Sequence, residues 1–112
     1  LKVLAMITEL KITEFTPTKD KVIWDVRDAE QYQEGHIEHA VNHPLSTIDK
    51  TLLDATKGDI YVLCGGGTKA QKAAKLINEL DNDRRIIHLT GGTRGAIASG
   101  MAIISEQPLE RN

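Results

Sequence analysis

The stretch Ile60-Tyr61-Val62-Leu63-Cys64-Gly65-Gly66-Gly67-Thr68-Lys69-Ala70 decides the fold. Four apolar residues, rich in β-branched and aromatic types, read as a short strand buried on both faces. The strand runs straight into a cysteine and three glycines, which break it. A helical pattern then takes over from about Thr68 to Leu80. Ala70, Ala73, Ala74, Ile77 and Leu80 recur on one face, while Lys72, Lys75 and Glu79 fall on the other. Strand, glycine loop and helix in that order form the first half of a crossover unit, and crossover units build parallel sheets.

Working outward, the same alternation repeats. Upstream, Lys21 to Val26 reads as a strand with the apolar run Val22-Ile23-Trp24, ending in Asp25-Val26-Arg27-Asp28. Asp28 is placed to cap a short helix, Ala29 to Gln33, closed by Gly35. Ala40 to Asn42 is a brief strand stopped by Pro44, and Ser46 to Ala55 reads as a helix capped by Ser46. Downstream, Asp81 to Arg85 is a turn and Arg85 to Leu89 a strand. Gly91-Gly92 breaks that strand, and an Ala-rich helix runs to about Ser99 before Gly100. Met101 to Ile104 reads as a last edge segment. Leu1 to Phe15 is ambiguous, since Leu4, Ile7 and Leu10 have helical spacing while Leu10, Ile12 and Glu14 alternate. The expected fold is α/β, with a mainly parallel central sheet and helices on both faces. One domain is expected over residues 1–112, with its core at about 21–104 and a frayed tail at 105–112.

Composition narrows the function. The chain has 112 residues, about one domain in length. Hydrophobic residues make up 40% and charged residues 27%, ordinary globular values. Aromatics are only 4% and the net charge is −2, so nothing builds a nucleic-acid or anionic-membrane surface. The absence of a long apolar run or a charged-then-apolar leader points to neither membrane nor export. The single cysteine excludes an internal disulfide and a thiolate metal cluster. It fits a reducing compartment, and a cytoplasmic location is expected.

Chemistry concentrates at Cys64. In open parallel sheets, ligands bind beyond the carboxyl ends of the strands, and Cys64 stands there. Gly65, Gly66 and Gly67 put no side chains into the loop, so amides from Gly65 to Lys69 are free to turn inward as an anion-binding nest. The helix starting at Thr68 adds its positive end, and Lys69 a full charge. All of these favour the thiolate over the thiol and would hold an anion beside it. A buried, inert cysteine and a bland phosphate-binding turn are the competing readings. Lys69 is followed by Ala70 rather than Ser or Thr, so the Walker pattern is incomplete. Sulfur transfer, phosphate-ester hydrolysis and arsenate reduction are the chemistries that a cysteine in an oxyanion cradle supports.

Several further motifs occur together. Asp25-Val26-Arg27, Tyr32, Gly35-His36-Ile37, Ala40-Val41-Asn42 and Pro44-Leu45 resemble the front signature of rhodanese domains. Ile60 to Cys64 with its glycine loop resembles the family's active strand and loop, and Leu89-Thr90-Gly91-Gly92 its late Gly-Gly turn. The resemblance covers roughly residues 21 to 103. It implies a single-domain sulfurtransferase in which Cys64 is the nucleophile and Cys64 to Lys69 is the six-residue active loop. A small anionic sulfur donor and a thiol, cyanide or protein acceptor are the implied partners, with no cofactor and no metal. Two departures stand out. Lys69 occupies the last loop position, where arginine is common in the family. Ala96-Ile97 stands where Ala-Trp is usual. Phosphatases of this fold have a longer loop with arginine six positions after the cysteine, and that position here is Ala70. A non-catalytic binding or sensory module of the same fold is the other alternative.

The remaining polar residues read as scaffold. Asp25 ends a buried strand and must find donors. Arg27 is expected to pair with Glu30 or Glu34, with a secondary role toward an oxyanion open to it. His36, His39, His43 and His88 lack a zinc-ligand pattern, and a structural or surface role is expected for them.

Overall fold

A computed structural model describes residues 6–106. Seven strands and four α-helices follow in the order β1 (Ile7–Lys11), β2 (Val22–Asp25), α1 (Ala29–Glu34), β3 (His36–Ile37), β4 (Ala40–Asn42), α2 (Lys50–Asp54), β5 (Ile60–Leu63), α3 (Thr68–Leu80), β6 (Ile86–Thr90), α4 (Gly92–Ala98) and β7 (Ile103–Ile104). Short 3₁₀ turns cover Ile12–Glu14 and Leu45–Thr47. Five strands form one sheet in the order β1-β6-β5-β2-β4, and every pairing in it is parallel. β3 and β7 pair antiparallel in a separate small sheet.

Alternating side chains of the sheet feed two cores. On one face, Trp24, Ile60, Val62 and Ile86 pack under Leu53 of α2 and Ala70, Ala73, Ala74 and Ile77 of α3. On the other, Ile23, Leu63, Ile87 and Leu89 pack with Ile12, Phe15, Tyr32 of α1 and Ala96 of α4. β5 sends Ile60 and Val62 to the first core and Leu63 to the second, as a strand buried on both faces must. The expected doubly covered parallel sheet is what the chain forms. No helix among the described residues is long and apolar enough to cross a membrane.

Four sequence expectations need correction. The ambiguous lead-in contains a sheet strand, β1, which pairs with β6 from Ile7↔Ile86 to Lys11↔Thr90. The buried core therefore starts ahead of residue 21, with Ile12 and Phe15 inside it. Leu4, counted in the helical spacing, lies outside the described residues. The helix expected from Ser46 is split: Leu45–Thr47 is a 3₁₀ turn, and α2 starts only after Asp49, whose side chain accepts from the Leu52 amide at 2.9 Å. Asp28 stands at the N-cap of α1 but makes no side-chain capping bond, because its carboxylate turns to Lys69. Of the expected tail, Ser105 and Glu106 are tied to the carbonyl of Gln33, and 107–112 lie outside the described residues.

Candidate active site

Parallel pairing brings the carboxyl ends of β2, β5 and β6 to one edge. Asp25 stands level with Leu63, and Val62 with His88. Cys64 follows the middle strand of these three, so the segments after β2 and β6 flank it on either side. The thiol is buried. The loop behind it turns sharply at Gly67, whose φ of +125° suits glycine and few other residues. That turn aims the Gly67 amide back at the cysteine, and it donates to Cys64 Sγ at 2.9 Å.

The outward side of the loop is held by α4. Gly91 and Gly92 take φ of +89° and +57°, which swings the start of α4 onto the loop backbone. The Thr93 amide donates to the Cys64 carbonyl at 2.8 Å and the Arg94 amide to the Gly65 carbonyl at 3.1 Å. Those two bonds engage the loop's first two carbonyls, while the Gly67 amide is directed at the cysteine sulfur. Contact is so close that a Cβ on Gly92 would lie 2.2 Å from the Cys64 carbonyl oxygen. The late Gly-Gly turn thus braces the loop.

An open pocket of about 320 Å³ lies over the cysteine, lined by Cys64 to Lys69 together with Arg27, Gln31 and Arg94. The sequence-selected residues Cys64, Gly65, Gly66, Gly67, Thr68, Lys69 and Arg27 therefore all meet at one place. Their charges are committed differently. Arg27 pairs with Asp25, not with Glu30 or Glu34: Nη2 lies 2.8 Å from Oδ2 and Nε 3.0 Å from Oδ1. Residues two apart on extended backbone share a side, and a fully buried carboxylate has more need of a cation than exposed Glu30 and Glu34 do. Nη2 of Arg27 also donates to the Gly35 carbonyl at 2.7 Å, locking the end of α1. Lys69 Nζ lies 3.3 Å from Asp28 Oδ1, so its charge is shared with an exposed carboxylate ahead of α1.

Gln31 and Arg94 are the lining residues that sequence reasoning missed, and Arg94 is the charged one. It is exposed, and its Nη1 sits 3.3 Å from where a Cβ on Gly66 would stand. Among the described residues no carboxylate lies within 4 Å of its guanidinium. A cation two residues beyond a Gly-Gly pair was the available signal.

The histidines are scattered. His36 stacks on Tyr32 at 3.7 Å, donates from Nδ1 to the Tyr32 carbonyl at 2.9 Å, and lies 3.3 Å from Glu106 through Nε2. Tyr32 in turn donates its hydroxyl to the Ala40 carbonyl, and burial pushes that phenol's pKa up. His43 meets Trp24 edge-on at 4.9 Å, and burial lowers its pKa. His88 is buried beside Glu9, with Nε2 unpartnered among the described residues. Among those residues no group of three or more His, Cys, Asp and Glu is placed to hold a metal. A cavity of about 500 Å³ at the opposite, amino end of the sheet, around Lys57, Asp59 and Arg84, contains no cysteine.

Comparison with known proteins agrees with this architecture. The chain is 34% identical over 59 residues to a thiosulfate sulfurtransferase of Escherichia coli, PspE, covering 50% of this chain and 57% of that one. It is 30% identical over 115 aligned positions to the adenylyltransferase and sulfurtransferase uba4 of Neosartorya fischeri, covering 80% of this chain but 23% of that protein. The chain thus spans well under two thirds of the curated relatives it matches. Among solved structures, a rhodanese-like domain of an Anabaena protein superposes with a TM-score of 0.68 at 28% identity, over 82% of this chain and 99% of that one. A thiosulfate sulfurtransferase of Pseudomonas aeruginosa gives 0.78 over 90% of this chain and 21% of that one. At 19% identity that match speaks for the fold alone. The family described as Rhodanese-like domain matches residues 11–98, from the end of β1 to the end of α4, and the chain belongs to that family.

Proposed function

We propose that the chain is a sulfurtransferase that moves a sulfane sulfur from thiosulfate or a related donor to a thiol, cyanide or protein acceptor through a persulfide on Cys64. The observation that carries this reading is the Gly67 amide donating to Cys64 Sγ at 2.9 Å, at the base of a pocket edged by three cations. An amide hydrogen bond to sulfur stabilises the anionic form more than the neutral one, and the reaction keeps an anion at that point throughout.

In the first half, the Cys64 thiolate attacks the outer sulfur of thiosulfate. A new S–S bond forms as the donor's S–S bond breaks, and the bonding pair leaves with sulfite. One negative charge stays on the terminal sulfur of the Cys64 persulfide, to be held by the amides of Gly65 to Lys69, of which that of Gly67 already donates to Sγ. In the second half, an acceptor thiolate or cyanide attacks that terminal sulfur and the pair returns to Cys64. No proton need move in either half, so no general base is required, and the two halves give ping-pong kinetics. Lys69 and Arg27 add to the positive rim, each with its charge partly balanced by its own aspartate. Ala70, six positions after the cysteine, is fully buried in α3, so no side chain reaches over the pocket from that position. The lone cysteine suits a reducing, cytoplasmic setting in which the thiol stays available. The two relatives named as sulfurtransferases support the same class of reaction.

The test is thiocyanate formation from thiosulfate and cyanide by the reduced protein. Double-reciprocal plots should be parallel, and Cys64→Ser should have no turnover above buffer. Turnover retained by Cys64→Ser would place the sulfur elsewhere and overturn the reading.

A further inference from the structure

We infer that Arg94, from α4, binds the oxyanion end of the sulfur donor and makes the site selective for donors that leave as sulfite or another sulfonate-type anion. For its donor this inference rests on the sulfurtransferase reading above.

Three cations edge the pocket, and they differ in what their charge is free to do. The Arg27 guanidinium is buried and bidentate on Asp25, with a third bond to the Gly35 carbonyl. Turning it toward a ligand would strand a fully buried carboxylate, which is costly. Lys69 and Asp28 form a neutral pair at the rim, 3.3 Å apart. Lys69 lines the pocket and Asp28 does not, so the pair offsets part of the lysine's charge there. Arg94 differs from both. Its side chain makes no hydrogen bond and no ion pair among the described residues, yet it reaches across Gly66 into the pocket wall. Its backbone is fixed, because its amide holds the Gly65 carbonyl and Gly92 is wedged against Cys64. The guanidinium therefore hangs from a rigid point directly over the loop.

Geometry assigns the guanidinium its ligand. A sulfane donor must put its outer sulfur against Cys64 Sγ, with the bond to the leaving group pointing away from the loop floor. A leaving sulfite then projects its oxygens toward the pocket wall that Arg94 forms. The planar fork of an arginine grips two such oxygens at once, which a lysine ammonium does not. Lys69 occupies the loop's last position, and the fork is supplied instead from α4, the helix that follows the neighbouring strand β6. A neutral persulfide donor presents no oxyanion and gains nothing from Arg94.

The experiment compares wild type with Arg94→Gln and with Lys75→Gln, which removes an exposed cation on the outer face of α3, away from the pocket. Two readouts are taken. One is KM for thiosulfate in the cyanide assay. The other is the ratio of Cys64 alkylation rates by iodoacetate and by iodoacetamide, an anionic and a neutral reagent of similar size. Arg94→Gln is expected to raise KM about tenfold at low salt, a charge-assisted bond discounted for exposure. It should lower the alkylation ratio in the same direction, leave the iodoacetamide rate itself within about twofold, and lose its effect as ionic strength rises. Lys75→Gln should leave each within about twofold, since an exposed charge outside the pocket is screened from the site. Equal or larger effects from Lys75→Gln, or no change in the alkylation ratio for Arg94→Gln, would overturn the inference. If the wild type turns over no thiosulfate, the sulfurtransferase reading falls, and the alkylation ratio alone still decides whether Arg94 binds an anion beside Cys64.

Discussion

Gly92→Ala is the substitution through which the bracing of the active loop is most sharply tested. A Cβ at position 92 would lie 2.2 Å from the Cys64 carbonyl oxygen and 2.8 Å from that of Gly65. The first distance is about 0.8 Å short of the nearest approach that carbon and oxygen tolerate. Both obstacles are backbone, so neither can rotate away. The start of α4 must lift by about that amount. The Thr93–Cys64 and Arg94–Gly65 hydrogen bonds, now 2.8 and 3.1 Å, would then open past 3.5 Å. Each is worth about 1 kcal/mol net. Holding alanine at φ +57° adds about 1–2 kcal/mol. The sum is about 3–4 kcal/mol. Gly100→Ala is the control, since Gly100 has φ +82° and nothing within 4 Å of its would-be Cβ. Only the backbone cost of about 1–2 kcal/mol applies there. Urea unfolding, followed by the fluorescence of the single buried tryptophan, Trp24, reads both. Thiosulfate turnover should fall steeply in Gly92→Ala and stay near wild type in Gly100→Ala. Equal destabilisation of the two variants would refute the idea that the Gly-Gly turn is wedged against the loop.

Three further outcomes follow from the same geometry. Asp25→Asn should cost about 3–5 kcal/mol in urea unfolding, because it leaves the nearly buried Arg27 without its counter-charge; a loss under about 1 kcal/mol would show that the pair is not a structural anchor. Gly66→Ala should leave stability unchanged or raise it by about 0.5 kcal/mol, since its φ is not in the left-handed region, while raising the thiosulfate KM as the new methyl displaces the Arg94 guanidinium 3.3 Å away; an unchanged KM would contradict that placement. Burial holds the His43 pKa below the ordinary histidine value of 6.5, so the unfolded chain takes up more protons, and stability is full above 6.5 and declines as pH falls through the folded value; His43→Asn should flatten that decline in urea titrations at pH 7.5 and 5.5, and an unaltered slope would assign it to other groups.

Much of the site was legible because it is local. A buried strand, a cysteine, three glycines and a helix are contiguous, and chain order alone puts the thiol at the carboxyl edge of a parallel sheet. What sequence reading missed depends on tertiary contact. β1 escaped because it is an edge strand with Ile7 half-buried in one core and Leu10 in the other. Apolar residues three apart that point to opposite faces of a strand imitate helical spacing. The partner of Arg27 was misassigned because Glu30 and Glu34 are near in sequence, whereas the demand of a buried carboxylate set the pairing with Asp25. Ser46 has the right chemistry for a helix cap, but Pro44 and the 3₁₀ turn carry the chain past it and Asp49 takes the role. Arg94 was invisible for a different reason. Its position follows from two glycines letting α4 touch the loop 27 residues earlier in the chain, a contact with no local signature.

The central claim is that Cys64 carries sulfur, and the most direct test is the intact mass of the reduced protein after mixing with thiosulfate, beside Cys64→Ser. The account predicts a gain of about 32 Da, one sulfur atom held covalently, on the wild type alone, removed again by cyanide. A wild type that gains no mass, or a Cys64→Ser variant that gains the same mass, would contradict it.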